Sequence, residues 1–564
     1  MTDRISFSHN ILFDYAVARL LLDEEEIFSF LNSDSSRIIF FRPSVLHFFH
    51  HLWWNDRSVF WNLSFRFLKT DDLPERAKVI PAIVVTEASR SLSDLEPVLA
   101  NQATRKLAVP IILRAVQALG TLETRQRSLW LDFLEKLSSE IELEFINEFV
   151  SVLGIVNQQR RNVENVQIGS ISRRLLAWMW NSADALPKYQ GTQLTGIAAG
   201  RVMPIVMQLY ATDRAASHQI VESVLKRPGS PSSSSHDAFW LAREIQHIID
   251  NDSELAVRVY EQMFSYFEQS DETTVMGGSP VFTLTSTRKQ DFETALYGLQ
   301  QAFPYFLKSS PIHAALAAVK ATNAEVSRRE ISENEPSKVP KHFTFRFLNV
   351  SSTYVSDFSK IWDHGAREHL SLQLLDAVLQ QAGEMTPSAL REIVKVIGQH
   401  ARVAVCWKRL LEAASRSIKD FFPHASPLLT IPRFLAAPEI AVVAGNVLKA
   451  AYAESLPNKG QKEKVEDAIE RIPRNRYIKR YEKSESIQNR LLLCIGPDQL
   501  LSSVLRERAE KLSKEKPEFA NEPYVRMQGG AMSYSTEDWL RDEGADTAKK
   551  ENAEILEAIK YSRL

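Results

Sequence analysis

Glycine is scarce in this chain, with nineteen in 564 residues, about half the usual ~7% share. Large β proteins and loop-built α/β enzymes need more glycine for their turns, so the shortage points to helices. Cysteine is scarcer still. Cys406 and Cys494 lie far apart and outside any Cys-x-x-Cys spacing, which excludes a disulfide scaffold and predicts a reducing, cytoplasmic setting. Both read as small buried hydrophobes rather than nucleophiles. No charge-free apolar run reaches the ~18 residues of a membrane span. The nearest stretch, Tyr189 to Thr212, is interrupted by Arg201, Gly191, Gly196, Gly200 and Pro204, and reads as a buried helix and turn. The opening Met1-Thr2-Asp3-Arg4 passes to His9-Asn10 without the apolar core of a signal peptide. An excess of one charge is also missing: 68 Lys and Arg against 70 Asp and Glu give a net charge of -2. That balance excludes a globally basic nucleic-acid coat, and an apolar fraction of 44% excludes wholesale disorder.

What is abundant is helical periodicity. Leu107, Ile111, Ala115 and Leu119 step by four, and Leu129, Phe133, Leu134, Leu137 and Ile141 mark one face. Leu241, Ile245, Ile248 and Ile249 repeat the pattern, as do Leu255, Val259, Met263, Phe264 and Phe267, and later Leu370, Leu374, Leu375 and Val378. Prolines at 81, 110, 311, 387 and 438 are read as sitting near helix starts, where the missing N–H costs nothing. Thr386-Pro387 and Asp252-Ser253 supply capping acceptors. About twenty such segments, taken in pairs, give a period of roughly 40–50 residues, the range of HEAT-like repeats. An amphipathic pair cannot bury its own face, so the expected architecture is all-α, with HEAT-like helix-pair repeats stacked into an α-solenoid and a few short β or loop insertions. Two or three separate helical bundles are the alternative.

Several stretches break the pattern and suggest an organisation. Residues 1–70 form an N-terminal helical region, and 71–326 a repeat array with an insertion at 270–291. Residues 327–349 read as a linker, 350–510 as a second helical block, and 511–564 as a C-terminal linker with short helices, one of them capped at Ser535 or Thr536. Arg227 to His236 is a Pro- and Ser-rich loop, and Val281 to Thr285 alternates as a short strand pair would. His342-Phe343-Thr344-Phe345-Arg346-Phe347 is read as docking by its aromatics.

The most distinctive string is Phe7-Ser8-His9-Asn10-Ile11-Leu12-Phe13-Asp14-Tyr15-Ala16-Val17-Ala18. Physically it is an extended entry followed by a helix whose buried face is Phe13, Ala16, Val17, Leu20 and Leu21, with the small Ala16 and Ala18 allowing close approach. Phe7, His9, Phe13, Asp14, Ala16 and Ala18 resemble the Phe-x-His, aromatic–acidic–aromatic, Ala element that closes the NTPase module of STAND-class proteins such as NACHT ATPases. In that family the element leads into a helical-repeat sensor array. Nothing in the sequence matches Gly-x-x-x-x-Gly-Lys-Ser/Thr, and no strand-following acidic pair for magnesium is present. The resemblance therefore implies a sensor or scaffold acting beside an ATPase module that is separate or encoded upstream, in bacterial defence or signalling.

Other constellations invite chemistry. His47 and His51 are spaced i, i+4 as zinc ligands are, with His50 between them, but the general-base Glu of His-Glu-x-x-His and a third ligand are missing. Imidazoles hydrogen-bonded among aromatics are the preferred reading. Ser235-His236-Asp237 has the letters of a hydrolase triad in the wrong geometry, and Asp237 reads as the cap of a helix starting at Ala238. Arg471, Arg474, Arg476, Tyr477, Lys479, Arg480 and Tyr481 place cations and aromatics together as a nucleic-acid contact would. Acidic flanks from Glu463 to Glu485 favour an ion-paired face instead. Ser279, Thr285, Arg288 and Lys289 in the insertion could hold an anion or a partner. Phe40, Phe41, Phe48, Phe49, Trp53, Trp54, Phe60, Trp61, Phe65 and Phe67 make the N-terminal region unusually aromatic. Core packing is the first reading and an interface the second.

The sequence thus predicts a non-catalytic interaction protein with no cofactor, no bound metal and no membrane. A nucleic-acid-binding array and an enzyme with an unrecognised site stand as alternatives.

Overall fold

The computed structural model describes residues 9–32, 37–226, 235–268, 275–276, 279–280, 288–328, 342–357, 369–472 and 484–515. They are mostly α-helical, with two short antiparallel strand pairs. None of the described helices is long and apolar enough to cross a membrane. The chain divides into two compact units, Met1–His424 and Ala425–Leu564.

In the first unit each long helix packs against the next but one. Helix Arg37–Asn55 lies on Glu75–Ala88, that on Gln102–Leu119, and that on Ile146–Gln158. Further along two rows run side by side. Ser235–Arg243, Ser253–Ser265, Pro311–Val326 and Pro387–His400 form one, and Ile245–Asn251, Arg288–Ser309, Leu370–Ala382 and Ala404–Arg416 the other. Helix Pro311–Val326 sits in the middle of its row because Ala314, Ala315, Ala317, Ala318 and Ala321 are all fully buried. Side chains this small let backbones approach closely while still removing apolar area from water.

Helix starts follow the local chemistry in part. Asp252 Oδ1 accepts the Leu255 N–H at 3.0 Å, and Thr386 Oγ1 accepts that of Ala389 at 3.4 Å. Pro311 and Pro387 occupy first-turn positions as the sequence suggests, and Pro438 lies in the turn before Ala441–Ala453. Pro81 and Pro110 differ, because they stand inside Glu75–Ala88 and Gln102–Leu119. Each forfeits one intrahelical bond there, while the Pro81 ring is buried in the packing. The buried face of Gln102–Leu119 also differs from the stepped set read from sequence. It is Ala108, Val109, Ile112, Leu113, Ala115 and Val116, whereas Leu119 is exposed. Tyr189 to Thr212 resolves into helix Lys188–Ile197, a π-helical turn Ala198–Val202 and helix Met203–Gln208.

The insertion near 270–291 holds a minimal strand pair, β1 (Val275–Met276) with β2 (Ser279–Pro280). Residues 281–287, Thr285 among them, lie outside the described residues. Helix Ser235–Arg243 begins before Asp237, so that residue is inside the helix rather than its cap. Residues 342–347, read as part of a linker, form strand β3 (His342–Phe347), paired antiparallel with β4 (Val350–Val355) from His342↔Val355 to Phe347↔Val350. The two-residue turn Leu348-Asn349 has φ of 47° and 67°, the left-handed pair that a tight hairpin requires. The hairpin docks by its aromatics: the Trp407 ring lies 5.2 Å from Phe345 and 5.8 Å from Phe347. Ser352 Oγ donates to the Gly398 carbonyl at 2.6 Å. The buried Asp357 accepts the Val405 N–H at 2.6 Å, capping helix Ala404–Arg416.

In the second unit Ala441–Ala453 packs on Ser484–Ile495, which in turn packs on Ser503–Glu515. A methyl at Gly445 would stand 3.0 Å from Cys494 Sγ, so glycine sets that approach. Helix Lys459–Arg471 opens on a reciprocal cap. Asn458 Oδ1 accepts from Gln461 N at 2.9 Å and Gln461 Oε1 from Asn458 N at 3.0 Å. Its Glu466 accepts the N–H groups of Leu501 and Ser502 at 2.7 and 2.8 Å. Residues 511–515 complete helix Ser503–Glu515; the short helix expected at Ser535 or Thr536 lies outside the described residues. Both cysteines are buried, and burial pushes each thiol above its ordinary range, the state of an inert hydrophobe.

Candidate interaction surface

The N-terminal helices carry the geometry with most functional content. Helix Asn10–Leu20 starts after His9, whose extended backbone presents its carbonyl to the N–H groups of Leu12 and Phe13 at 3.1 and 3.3 Å. The helix packs on Arg37–Asn55. Asp14 anchors the contact, its Oδ1 accepting from the buried Ser44 hydroxyl at 2.7 Å. Val17 and Ala18 are buried, Ala16 is half-buried, and Phe13 reaches Phe41 with ring centroids 6.1 Å apart. Phe7 lies outside the described residues. Leu20, Leu21 and Phe13, expected on the buried face, are instead 80%, 60% and 39% exposed. The reason is that this helix is apolar on more than one side. Ile11, Leu12 and Tyr15 are exposed as well, and the packing covers only the side bearing Val17 and Ala18.

Helix Arg37–Asn55 shows the same division. Val45, Phe49 and Trp53 are fully buried. Phe49, Trp53, Phe60 and Phe67 form an edge-to-face cluster, with Trp53–Phe60 centroids at 4.9 Å and Phe49–Phe67 at 5.0 Å. The Arg57 guanidinium sits 3.9 Å over the Trp53 ring. Most of the aromatics are thus core. Phe40 and Trp54 are not, at 74% and 60% exposed. Phe40, His47 and Trp54 are spaced by seven, which places them along one face of the helix, and His47 is exposed with them.

The three histidines do not converge. His50 Nε2 lies 3.1 Å from a Glu87 carboxylate oxygen, and His51 lies between Arg19 and the Asn55 amide. Burial, and then the Arg19 cation, hold the His51 imidazole below its ordinary pKa. Among the described residues no group of three metal-ligating side chains gathers.

The other candidates scatter. Arg471 closes helix Lys459–Arg471 and is held by Asp467 Oδ1 at 2.9 Å, an ion-paired arrangement. Arg474, Arg476, Tyr477, Lys479, Arg480 and Tyr481 lie outside the described residues. Ser279 is in β2 and Arg288 starts helix Arg288–Ser309. Lys289, one residue on, lines a pocket of about 130 Å³ together with Glu268, Glu293 and Glu325. Arg328 lines the same pocket, so its charges are mixed. A second polar cleft, at the end of helix Pro387–His400, joins residues far apart in the chain that no sequence motif had brought together. Comparison with protein-family models, with curated proteins and with solved structures gives no match.

Proposed function

We propose that this chain is a non-catalytic, cytoplasmic scaffold or sensor built of HEAT-like helix pairs in an α-solenoid, working with a STAND-like ATPase that docks on its N-terminal helices. The observation that carries the reading is the set of exposed large apolar side chains Leu12, Tyr15, Leu20, Phe40 and Trp54. It lies on the helix that bears the family-like residues His9, Phe13, Asp14, Ala16 and Ala18 and on the helix packed against it. Large apolar and aromatic side chains exposed together mark partner surfaces, and aromatics among them are the common anchors. Packing of each helix on the next but one, in two rows, supports the solenoid: it is how stacked helix pairs extend a core without a central globule.

The test is direct. The purified chain is mixed with the purified NTPase module of a STAND ATPase from the same genome, and the complex is followed by size-exclusion chromatography and titration. Wild type is expected to bind, and Leu20→Asp, Phe40→Asp and Trp54→Asp together to abolish binding, each anchor contributing about 2 kcal/mol or more. Helical circular dichroism should be unchanged, because all three side chains face solvent. Equal binding by the triple variant, or nucleotide hydrolysis by this chain alone, overturns the reading.

A further inference from the structure

We propose that the cleft formed by Lys320, His400 and Arg402, and lined also by Ser327 and Gln399, binds a small phosphate-bearing molecule. The cleft encloses about 400 Å³, within the size range of small-ligand sites. It joins helix Ser253–Ser265, helix Pro311–Val326 and the end of helix Pro387–His400, three neighbours in one row of the first unit.

Charge is the first ground. Among the described residues, Lys320, His400 and Arg402 face a single carboxylate, Glu261, which Lys320 Nζ holds at 2.8 Å. The Arg402 guanidinium is exposed and makes no ion pair among the described residues. One carboxylate therefore serves two permanent cations and an imidazole, and the cleft is short of negative charge. A phosphate dianion supplies it, accepting hydrogen bonds from guanidinium and ammonium together.

The second ground is that the cationic turn is held before any ligand arrives. Asn323 Oδ1 accepts the N–H groups of Arg402 and Val403 at 3.0 and 3.3 Å, and its Nδ2 donates to the His400 carbonyl at 2.8 Å. From the other side the Arg402 carbonyl accepts the Val355 N–H at 2.8 Å. Residues 400–403 are thus clamped between a helix and strand β4. Their backbone pays little ordering cost on binding.

The lining determines the ligand class. Among the described residues no Phe, Tyr or Trp lines the cleft, so they offer no broad stacking platform for a nucleobase. The ligand is recognised by its phosphate, with Ser327 and Gln399 available to hydroxyls on its body. His400 adds a proton linkage. Burial, then Lys320 and Arg402, hold its pKa below the ordinary histidine value, against the opposing pull of Glu261. An anion in the cleft reverses the repulsion, so binding draws a proton onto His400, and an anion of fixed charge such as sulfate binds more tightly as the pH falls toward 6.

The test uses the full chain at constant ionic strength. Inorganic phosphate is titrated by calorimetry at pH 6 and pH 8. Sulfate, which does not titrate in this range, is titrated in two buffers of different ionisation enthalpy to count protons. Saturable one-site binding, with proton uptake that His400→Gln removes, is expected. Arg402→Ala should weaken phosphate about tenfold or more, and Glu261→Gln should tighten it by freeing Lys320. Thermal unfolding of each variant checks the fold, and Glu261→Gln tests the site by gain rather than loss. No saturable binding at pH 6 overturns the proposal, as does binding that Arg402→Ala and Glu261→Gln leave unchanged. Binding of a single-stranded oligonucleotide in preference to phosphate would assign the cleft to a nucleic-acid backbone and overturn the small-molecule reading.

Discussion

Gly398 has no room for a side chain. A methyl there would lie 2.7 Å from Phe347 Cδ1 and 3.1 Å from its Cε1. The Phe347 ring cannot retreat, since it is buried with its edge against Trp407. Gly398→Ala should therefore cost about 1–3 kcal/mol, the usual penalty for forcing an extra group into a packed core. Urea unfolding would read it as a lower midpoint, and a midpoint equal to wild type would mean that the hairpin is free to shift. Asp252 shows the opposite economy, one carboxylate serving three donors. Burial alone would raise its pKa, but bonds from His218, the Leu255 N–H and Tyr210 outweigh it and hold the carboxyl below its ordinary range. Its cap on Ser253–Ser265 was legible from Asp252-Ser253. The bonds from His218 Nδ1 at 2.7 Å and Tyr210 at 3.1 Å were not, because both partners lie more than thirty residues away.

Helix Arg37–Asn55 shows how far a sequence pattern can go at the scale of an element. Its aromatic richness was plain, but which rings are core depended on which face its neighbours cover. Trp53 and Trp54 are adjacent, yet one is fully buried and the other 60% exposed. Trp53→Ala should cost about 3–5 kcal/mol, whereas Trp54→Ala should stay within about 0.5 kcal/mol. Chemical denaturation of the two variants side by side checks this, and a comparable loss for both would show that Trp54 is covered in solution. The hairpin β3–β4 was half legible. Its first strand stood out as alternating aromatics, but the turn Leu348-Asn349 lacks the Asn-Gly or Asp-Gly signature that marks a two-residue hairpin, so the partner strand went unseen.

For the molecule as a whole, two compact units within one chain imply that unfolding is not one cooperative step. Differential scanning calorimetry should give a calorimetric enthalpy larger than the van't Hoff enthalpy, or two resolved peaks. A ratio of one would mean that the units unfold together. Within the first unit the two rows bring together helices that are near neighbours in sequence, so apolar area is buried between elements a short stretch of chain apart.

Helix content, the absence of a disulfide framework and several helix starts followed from the sequence alone, because periodicity, cysteine count and capping chemistry act over a few residues. Tertiary packing decided the rest. It decided that Leu20, Leu21, Phe40 and Trp54 stay in water while Val17, Ala18 and Trp53 do not, because an apolar pattern states what could be buried and only a neighbouring element buries it. It also gathered Glu261, Lys320, His400 and Arg402 into one cleft. Residues separated by up to 141 positions, counting from 261 to 402, share no spacing a motif could record, and only the stacking of helices sets the distance between their charges.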